Sequence, residues 1–462
     1  KNTIYAGGID LFKSTNSGSS WNQLSYWHPF YGTPEVHADQ HAIVFRSGSS
    51  SDVIFGNDGG VYYSSNANTG SPVFTNRNFN YNVTQFYACA MHPGSATDYY
   101  LAGSPPLSSN KLFTPIKATN AIILLNKIDS DNMFDVIKNL YKHIEHSFEI
   151  IKNNNITSEK KYKNIIICGM GGSAIGGDFV RTVLLDKISI PVLVNRNYLL
   201  PKWVDKDSLV VICSYSGNTE ETISCYKQAV KLKNKPIVIS SGGFLLNDAI
   251  KCSYQYIKLP GGIQPRAAFG YSASLLYLLF CELDLVEKKI AKDLRIAAQE
   301  IEKLSLDYSN VTSNDALELA SKIHNKFPLI YGTPLTDVAS LRFRCQLAEN
   351  SKILSSHFQI PELDHNEIEG FGKINNNSSL IIWIKDVDDL SENLERIKIT
   401  RELLHHKIKE QYTYEHKGSS LTVRLFKLIY FFDWVSFYGA IFNDVNPTPV
   451  NTILKLKSIM SK

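Results

Sequence analysis

Ser214-Tyr215-Ser216-Gly217-Asn218-Thr219 and Gly169-Met170-Gly171-Gly172-Ser173 are the two stretches from which the fold is read. Each follows a short apolar run, Leu209 to Cys213 and Ile165 to Cys168 respectively. Such runs read as parallel strands buried on both faces. Each loop leads into a helical pattern. Strand, small-residue loop and helix together offer backbone N–H groups and a helix N-terminus to an anion. The second loop adds the hydroxyls of Ser214, Ser216 and Thr219. Two such loops one strand–helix step apart predict a site for a phosphorylated small molecule.

Outward from these loops, strands and helices alternate after Tyr162. That order predicts an α/β chain with parallel, doubly wound sheets. Met133 to Ile151 reads as one amphipathic helix, with Phe134, Ile137, Leu140, Tyr141, Ile144 and Phe148 on one face. A strand is expected at Pro328 to Gly332, a helix at Leu341 to Ala348, and a last helix at Pro449 to Met460.

The first hundred residues differ. They are rich in Gly, Ser, Asn and aromatics, and they repeat. Ile4 to Asn16 aligns without gaps on Ile54 to Asn66, an offset of 50 from 54 − 4. Repeats of about 40–50 residues made of short strands suggest propeller blades. Ser14-x-Asn16-x-Gly18-x-Ser20-Trp21 resembles the Asp-box turn of sialidase-type and sortilin-type propellers, and the His37 to His41 and Gly56 to Gly60 stretches resemble secreted bacterial propellers. Two blades do not close a propeller, so residues 1–104 are expected to be an incomplete, all-β propeller-like fragment. His37, Asp39, His41 and Asp58 read as turn and inter-blade residues, although in an intact relative they could be ligands or catalytic groups. Ser104 to Pro115 reads as linker, which places a junction at 105–117 between two unlike pieces.

Apolar content is 44%, charged content 20% and net charge +4. This is ordinary globular composition, and no basic patch with interleaved aromatics argues for nucleic acid. No uninterrupted apolar run reaches the roughly 18 residues of a membrane span. The seven cysteines contain no Cys-x-x-Cys pair, so a structural zinc site is not expected, and no His/Asp cluster in the second piece has metal spacing, so no metal is expected there. Gly169-x-Gly171-x-x-Ala174 matches a dinucleotide fingerprint in form. The next strand closes on Asn195-Arg196-Asn197, without the acidic residue that holds a ribose, which disfavours NAD.

Further motifs set the identity of the second piece. Lys163 to Asp178, Ser208 to Thr222, Gln264 to Tyr271, Glu349-Asn350-Ser351-Lys352, Pro361 to Glu367 and Pro447-Thr448-Pro449-Val450 occur in order. Together they resemble the bifunctional phosphoglucose/phosphomannose isomerase family, built of two sugar-isomerase (SIS) domains. The resemblance spans about 118 to 462 and implies flavodoxin-like SIS domains at 118–310 and 311–462. Departures are Gln264, where the family usually has proline, and Asn446, where Asp is common.

The resemblance implies a metal-independent aldose–ketose isomerase acting on glucose 6-phosphate, and on mannose 6-phosphate, through an enediolate, with no cofactor. It implies Glu349 as the base, Arg266 as the enediolate electrophile, and His365 as the ring opener, contributed across a homodimer interface. It implies Lys457 as an aid to ring opening, with Lys455 the neighbour that could be confused with it. Gly171, Gly172, Ser173, Ser214, Ser216 and Thr219 would hold sugar and phosphate. The residue types suit the chemistry, which needs a base, a charge for the developing oxyanion and an acid/base for the ring. The alternative is a non-catalytic SIS regulator that binds the same ligand. No nucleic acid or membrane partner is expected. A cytoplasmic location is expected for the isomerase part, although the first piece resembles secreted proteins. His405 and His406, on a charged helix expected at Glu395 to Lys409, read as solvated.

Overall fold

A computed structural model describes residues 3–26, 36–37, 39–57, 60–77, 127–154, 156–157, 161–373 and 378–460, with backbone alone at 88–91 and 100–103. The expected linker at 105–117, the boundaries at 104 and 118, and Asp58 lie outside the described residues. The chain forms two compact units, Lys1–Leu112 and Phe113–Lys462.

The first unit is built of antiparallel strands. β1 (Ile4–Gly7), β2 (Leu11–Ser14) and β3 (Asn22–Gln23) form one sheet. β4 (Gln40–Phe45), β5 (Val53–Asn57), β6 (Gly60–Ser64) and β7 (Thr75–Asn76) form a second, and β8 (Ala88–Met91) pairs with β9 (Tyr100–Gly103). The sequence repeat folds as a structural repeat. In the β2–β3 turn the Gly18 N–H donates to Ser14 Oγ at 2.8 Å and the Ser20 N–H to Asn16 Oδ1 at 2.9 Å. In the β6–β7 turn Ser64 Oγ donates to Asn66 Oδ1 at 3.1 Å and the Val73 N–H to the same oxygen at 2.8 Å. A short polar side chain that satisfies nearby backbone donors is what fixes such a turn. Asp39 sits at φ +60°, as a turn residue does.

The second unit holds two parallel sheets. The first contains β10 (Asn164–Cys168), β11 (Val192–Asn195), β12 (Ser208–Cys213), β13 (Ile237–Ser240) and β14 (Tyr256–Lys258), in the order β11-β10-β12-β13-β14. The second contains β15 (Phe327–Gly332), β16 (Ser356–Gln359), β17 (Ser379–Ile384) and β18 (Gln411–Tyr414), in the order β16-β15-β17-β18. The first order is the flavodoxin-like 2-1-3-4-5. Strand residues Ile165–Cys168 and Ser208–Cys213 are buried throughout, which is why their sequences are continuous apolar runs.

The amphipathic stretch near Met133 forms two helices, α1 (Met133–Lys138) and α2 (Leu140–Lys152), not one. Asn139 makes the break. Its backbone leaves helical geometry and its side-chain amide donates to the Asp135 carbonyl at 2.7 Å, competing with the helix ladder. The remaining helices are α3 (Gly171–Val183), α4 (Glu220–Lys231), α5 (Gly243–Lys251), α6 (Phe269–Glu282), α7 (Lys292–Tyr308), α8 (Asp315–Ile323), α9 (Asp337–Gln346), α10 (Ser391–Leu404), α11 (Leu421–Phe442) and α12 (Asn451–Met460). The 310/311 position falls between α7 and α8. His405 and His406, just beyond α10, are exposed.

One core cluster reaches both sheets through α6 and α11. Both helices are buried along most of their length, and their apolar residues run around the helix rather than along one face. By length and composition α11 could cross a membrane, with a mean hydropathy of 1.4 over its best window. That window is 89% buried within the unit, and α11 carries Arg424, Lys427 and Asp433, so no uninterrupted apolar run exists.

His143 on α2 is buried and stacks on Tyr271 of α6 at 4.5 Å. Burial, with His146 adding repulsion, pushes its pKa from the usual 6.5 down to about 4. The folded protein therefore keeps His143 neutral where the unfolded chain takes up a proton. This contribution to stability is complete above about pH 6.5 and is lost as the pH falls toward 4. A His143→Phe variant keeps the stack and removes the titration. It is expected to lose about 2 kcal/mol less stability than the native protein between about pH 7 and pH 5, measured by urea unfolding.

Candidate active site

The order of the first sheet reverses direction between β10 and β12, and ligands of open α/β sheets bind at such a switch point, beyond the carboxyl ends of the strands. The loops after β10 and β12 are Gly169–Met170 and Ser214–Thr219. The helices they open, α3 and α4, lack a side-chain cap on Met170 and Thr219, leaving first-turn N–H groups for an anion. The two loops are tied together: the Tyr215 N–H donates to Ser173 Oγ at 3.3 Å. Within the second loop Ser214 Oγ pairs with Thr219 Oγ1 at 2.9 Å, and Ser216 Oγ accepts from the Asn218 N–H at 3.3 Å. Ser173, Ser214, Ser216 and Thr219 are thus brought together as one hydroxyl-lined cluster.

Gly217 makes the second loop possible. Its φ is +68°, and a Cβ there would lie 1.8 Å from the Gly242 carbonyl oxygen. Gly217→Ala is expected to destabilise the unit by about 3 kcal/mol or more and to raise the KM for any phosphorylated ligand, checked by thermal unfolding and saturation kinetics.

Gly172 joins the cluster to the next group. A Cβ at Gly172 would meet the Pro265 carbonyl oxygen at 2.9 Å and Arg266 Cα at 3.0 Å. The start of α3 therefore packs directly on the turn Pro265–Ala268 that carries Arg266. Arg266 is 4% exposed. Its Nε donates to Asn350 Oδ1 at 2.7 Å, and its Nη2 donates to the Pro447 carbonyl at 2.7 Å and the Thr448 carbonyl at 2.9 Å. Its Nη1 lies 3.6 Å from Glu349 Oε2. Burial lowers the Arg266 pKa, and the Glu349 charge acts against that shift.

The helix expected at Leu341 to Ala348, with Glu349 at its end, is shifted toward the N-terminus and runs over Asp337–Gln346. α9 ends at Gln346, and Leu347–Ser351 continues as a single wide π-type turn. Such turns often re-aim side chains at functional sites. Lys352, at φ +58°, ends the turn, and its ammonium donates to the carbonyls of Glu349 and Pro449, the latter at 2.7 Å. The Glu349 carboxylate stays partly exposed, so solvent and ligand reach it. A continuous line of contacts therefore runs from Ser214 and Thr219 through Ser173, Gly172 and Arg266 to Glu349.

His365 does not join that line. Ten-residue α9 carries the chain about 15 Å back from the carboxyl end of β15 toward the opposite end of the sheet, and Glu349 follows it. β16 runs parallel to β15 and delivers the short turn Glu362–His365 at the carboxyl end. His365 is exposed there, while Asp364 beside it accepts from Thr400 Oγ1 at 2.8 Å. Lys457, like Lys455, is exposed on α12. Ile453, Leu454, Leu456, Ile459 and Met460 on that helix are exposed as well.

Sequence reasoning missed the groups behind Arg266. Arg342 pairs with Asp433, at 3.0 Å from Nε and 2.7 Å from Nη2, and donates from Nη2 to the Arg266 carbonyl at 3.0 Å. These residues lie 91 apart in the chain, and no local signal links them. Asn350 and Lys352 could have been found, since both belong to the Glu349–Lys352 motif. At Asn446 the amide donates to Asp131 at 2.7 Å, a contact that an Asp would make repulsive. At the switch point of the second sheet the loops are held by internal bonds. Thr336 Oγ1 donates to the Ile384 carbonyl at 2.7 Å, and Asp386 accepts from Arg424 Nε at 2.8 Å.

A bifunctional phosphoglucose/phosphomannose isomerase of Caldicellulosiruptor bescii is 38% identical over 337 residues, covering 71% of this chain and 99% of the relative. The chain belongs to that family. A second bifunctional phosphoglucose/phosphomannose isomerase, from Aquifex aeolicus, is 32% identical over 331 residues, with 71% and 99% coverage. The sequence profile of the bacterial phospho-glucose isomerase C-terminal SIS domain matches residues 312–460. A crystal structure of a hypothetical protein from Thermus thermophilus superposes with a TM-score of 0.54 at 14% identity, covering 74% of this chain and 93% of the other. At that identity it speaks for the fold alone. The α/β architecture with SIS domains is thus established for the isomerase-family unit, while the first unit is established as antiparallel β and no further.

Proposed function

We propose that this chain interconverts fructose 6-phosphate with glucose 6-phosphate and mannose 6-phosphate, without a metal ion or redox cofactor. The observation that carries the reading is the Glu349 carboxylate set 3.6 Å from Arg266 Nη1, at the end of a contact line that starts in the hydroxyl cradle. The cradle and the uncapped starts of α3 and α4 hold the phosphoryl end. Glu349 removes the proton from C1 or C2 of the open-chain sugar. Arg266 stabilises the oxygen that gains charge as the enediolate forms. Glu349 then returns a proton to the neighbouring carbon. Return to one face of C2 gives the glucose configuration, and return to the other gives the mannose configuration.

Ring opening falls to the partner subunit's His365 in a homodimer, with Lys457 assisting. Two features support the dimer: His365 lies at the carboxyl end of the second sheet while Glu349 follows α9 toward the opposite end, and α12 presents a row of apolar side chains to solvent. The working compartment is the cytoplasm, a reading supported by the six unpaired thiols among the described residues. The first unit is a fragment of a β-propeller, supported by its repeated hairpins with matching Ser–Asn turns.

The test is an assay of purified protein, treated with EDTA, on fructose 6-phosphate. Formation of both aldose 6-phosphates is the expected result. Binding without conversion would instead support the regulator.

A further inference from the structure

The partners that hold the Arg266 guanidinium are all uncharged. A guanidinium offers one N–H on Nε and two on each Nη. Nε is taken by the Asn350 amide, and Nη2 by the backbone carbonyls of Pro447 and Thr448. Nη1 is left, 3.6 Å from Glu349, beyond hydrogen-bond distance but within ion-pair range. Asn350 is itself fully buried and fixed from behind. Its Nδ2 donates to Ser436 Oγ at 2.9 Å, and that hydroxyl gives its own proton to the Asp433 carbonyl at 2.7 Å. The Ser436 lone pair therefore faces Nδ2, and Oδ1 is left facing Arg266.

We propose that Asn350 is a positioning residue that aims Nη1 of Arg266 at the reacting carbons while adding no negative charge of its own, so that among the described residues Glu349 is the one carboxylate within ion-pair range of the guanidinium. An aspartate in the same place would hold the same geometry and would pair with the charge. Arg266 would then have less attraction for a developing oxyanion. A second buried carboxylate would also sit next to Glu349 in the chain. The nearby second cation, Arg342, is already matched by Asp433 and fixes only the Arg266 backbone. Arg266 thus combines rigid placement with a charge that faces no carboxylate but the catalytic one, the condition under which a preorganised donor is most effective.

The inference rests on the proposed isomerase reading, and its test separates the two. Asn350→Asp is expected to lower kcat for fructose 6-phosphate about 100-fold while KM changes less than about 3-fold. The acidic limb of kcat/KM against pH should move to higher pH, because an added negative charge opposes the formation of another beside it. A phosphorylated five-carbon aldonate, whose carboxylate occupies the place of the enediolate oxygens, should bind the variant about 100-fold more weakly. Native kcat with an unmoved pH limb would overturn the proposal, as would unchanged aldonate affinity. If Asn350→Asp does not fold, Ser436→Ala decides: loss of amide orientation should lower kcat about 10-fold at native KM, and unchanged kcat overturns the proposal. If the native protein proves inactive on fructose 6-phosphate, the isomerase reading fails. The aldonate titration still judges Asn350.

Discussion

Glu349→Gln is expected to lower kcat about 1,000-fold, the range in which a positioned general base contributes, with KM for fructose 6-phosphate changed less than about 3-fold. The split follows from where the residues sit. Gln keeps the shape of the side chain on its wide turn and cannot take a proton. In the proposed reading Ser173, Ser214, Ser216 and Thr219 grip the phosphoryl end and connect to Glu349 through Gly172 and Arg266, so substrate affinity is expected not to depend on the carboxylate. Arg266 keeps its three neutral hydrogen bonds and stays in place. Steady-state kinetics give kcat and KM, and a titration of the inactive variant with fructose 6-phosphate gives affinity directly. A variant that keeps native kcat would take the base role away from Glu349. A parallel rise in KM would mean that the substitution had disturbed binding instead.

The second large effect comes from mixing. Glu349→Gln and His365→Ala should each be nearly inactive alone, by about 1,000-fold. When the two are unfolded together and refolded in equal amounts, activity should return to about one quarter of native, since half the dimers are mixed and each mixed dimer holds one intact site of two. The expectation comes from topology. α9 runs from the carboxyl end of the second sheet toward the other, so a single chain carries Glu349 away from the end that holds His365. Recovery requires Glu349 of one subunit and His365 of the other to meet. No recovery, with dimers formed, would place ring opening on another group.

The grouping of the two hydroxyl-bearing loops was legible because its determinants are local. A buried strand followed by small and hydroxylated residues states the geometry within a dozen positions. The sheet order was legible in outline, from the alternation of strands and helices. The Asn139 break was not, because a six-residue apolar face runs straight across it and only the side-chain amide decides against the helix. The wide turn at Glu349 was not legible either. Its cause is long-range: Asn350 and Ser351 are held by Ser436, more than 80 residues away. The same distance hides Arg342 and Asp433, which support Arg266 from behind. Lys457 was placed in the site by likeness to the family, while α12 stands exposed along its whole length in the single chain.

Isomerisation of fructose 6-phosphate in deuterated water, with EDTA present, tests the central claim most directly. If Glu349 carries hydrogen between C1 and C2 in contact with partly solvated surroundings, the glucose and mannose 6-phosphates formed will carry deuterium at C2, and Glu349→Gln will abolish both products and label. Product formed without any solvent label, or label that persists in the Glu349→Gln variant, would contradict proton transfer by this carboxylate.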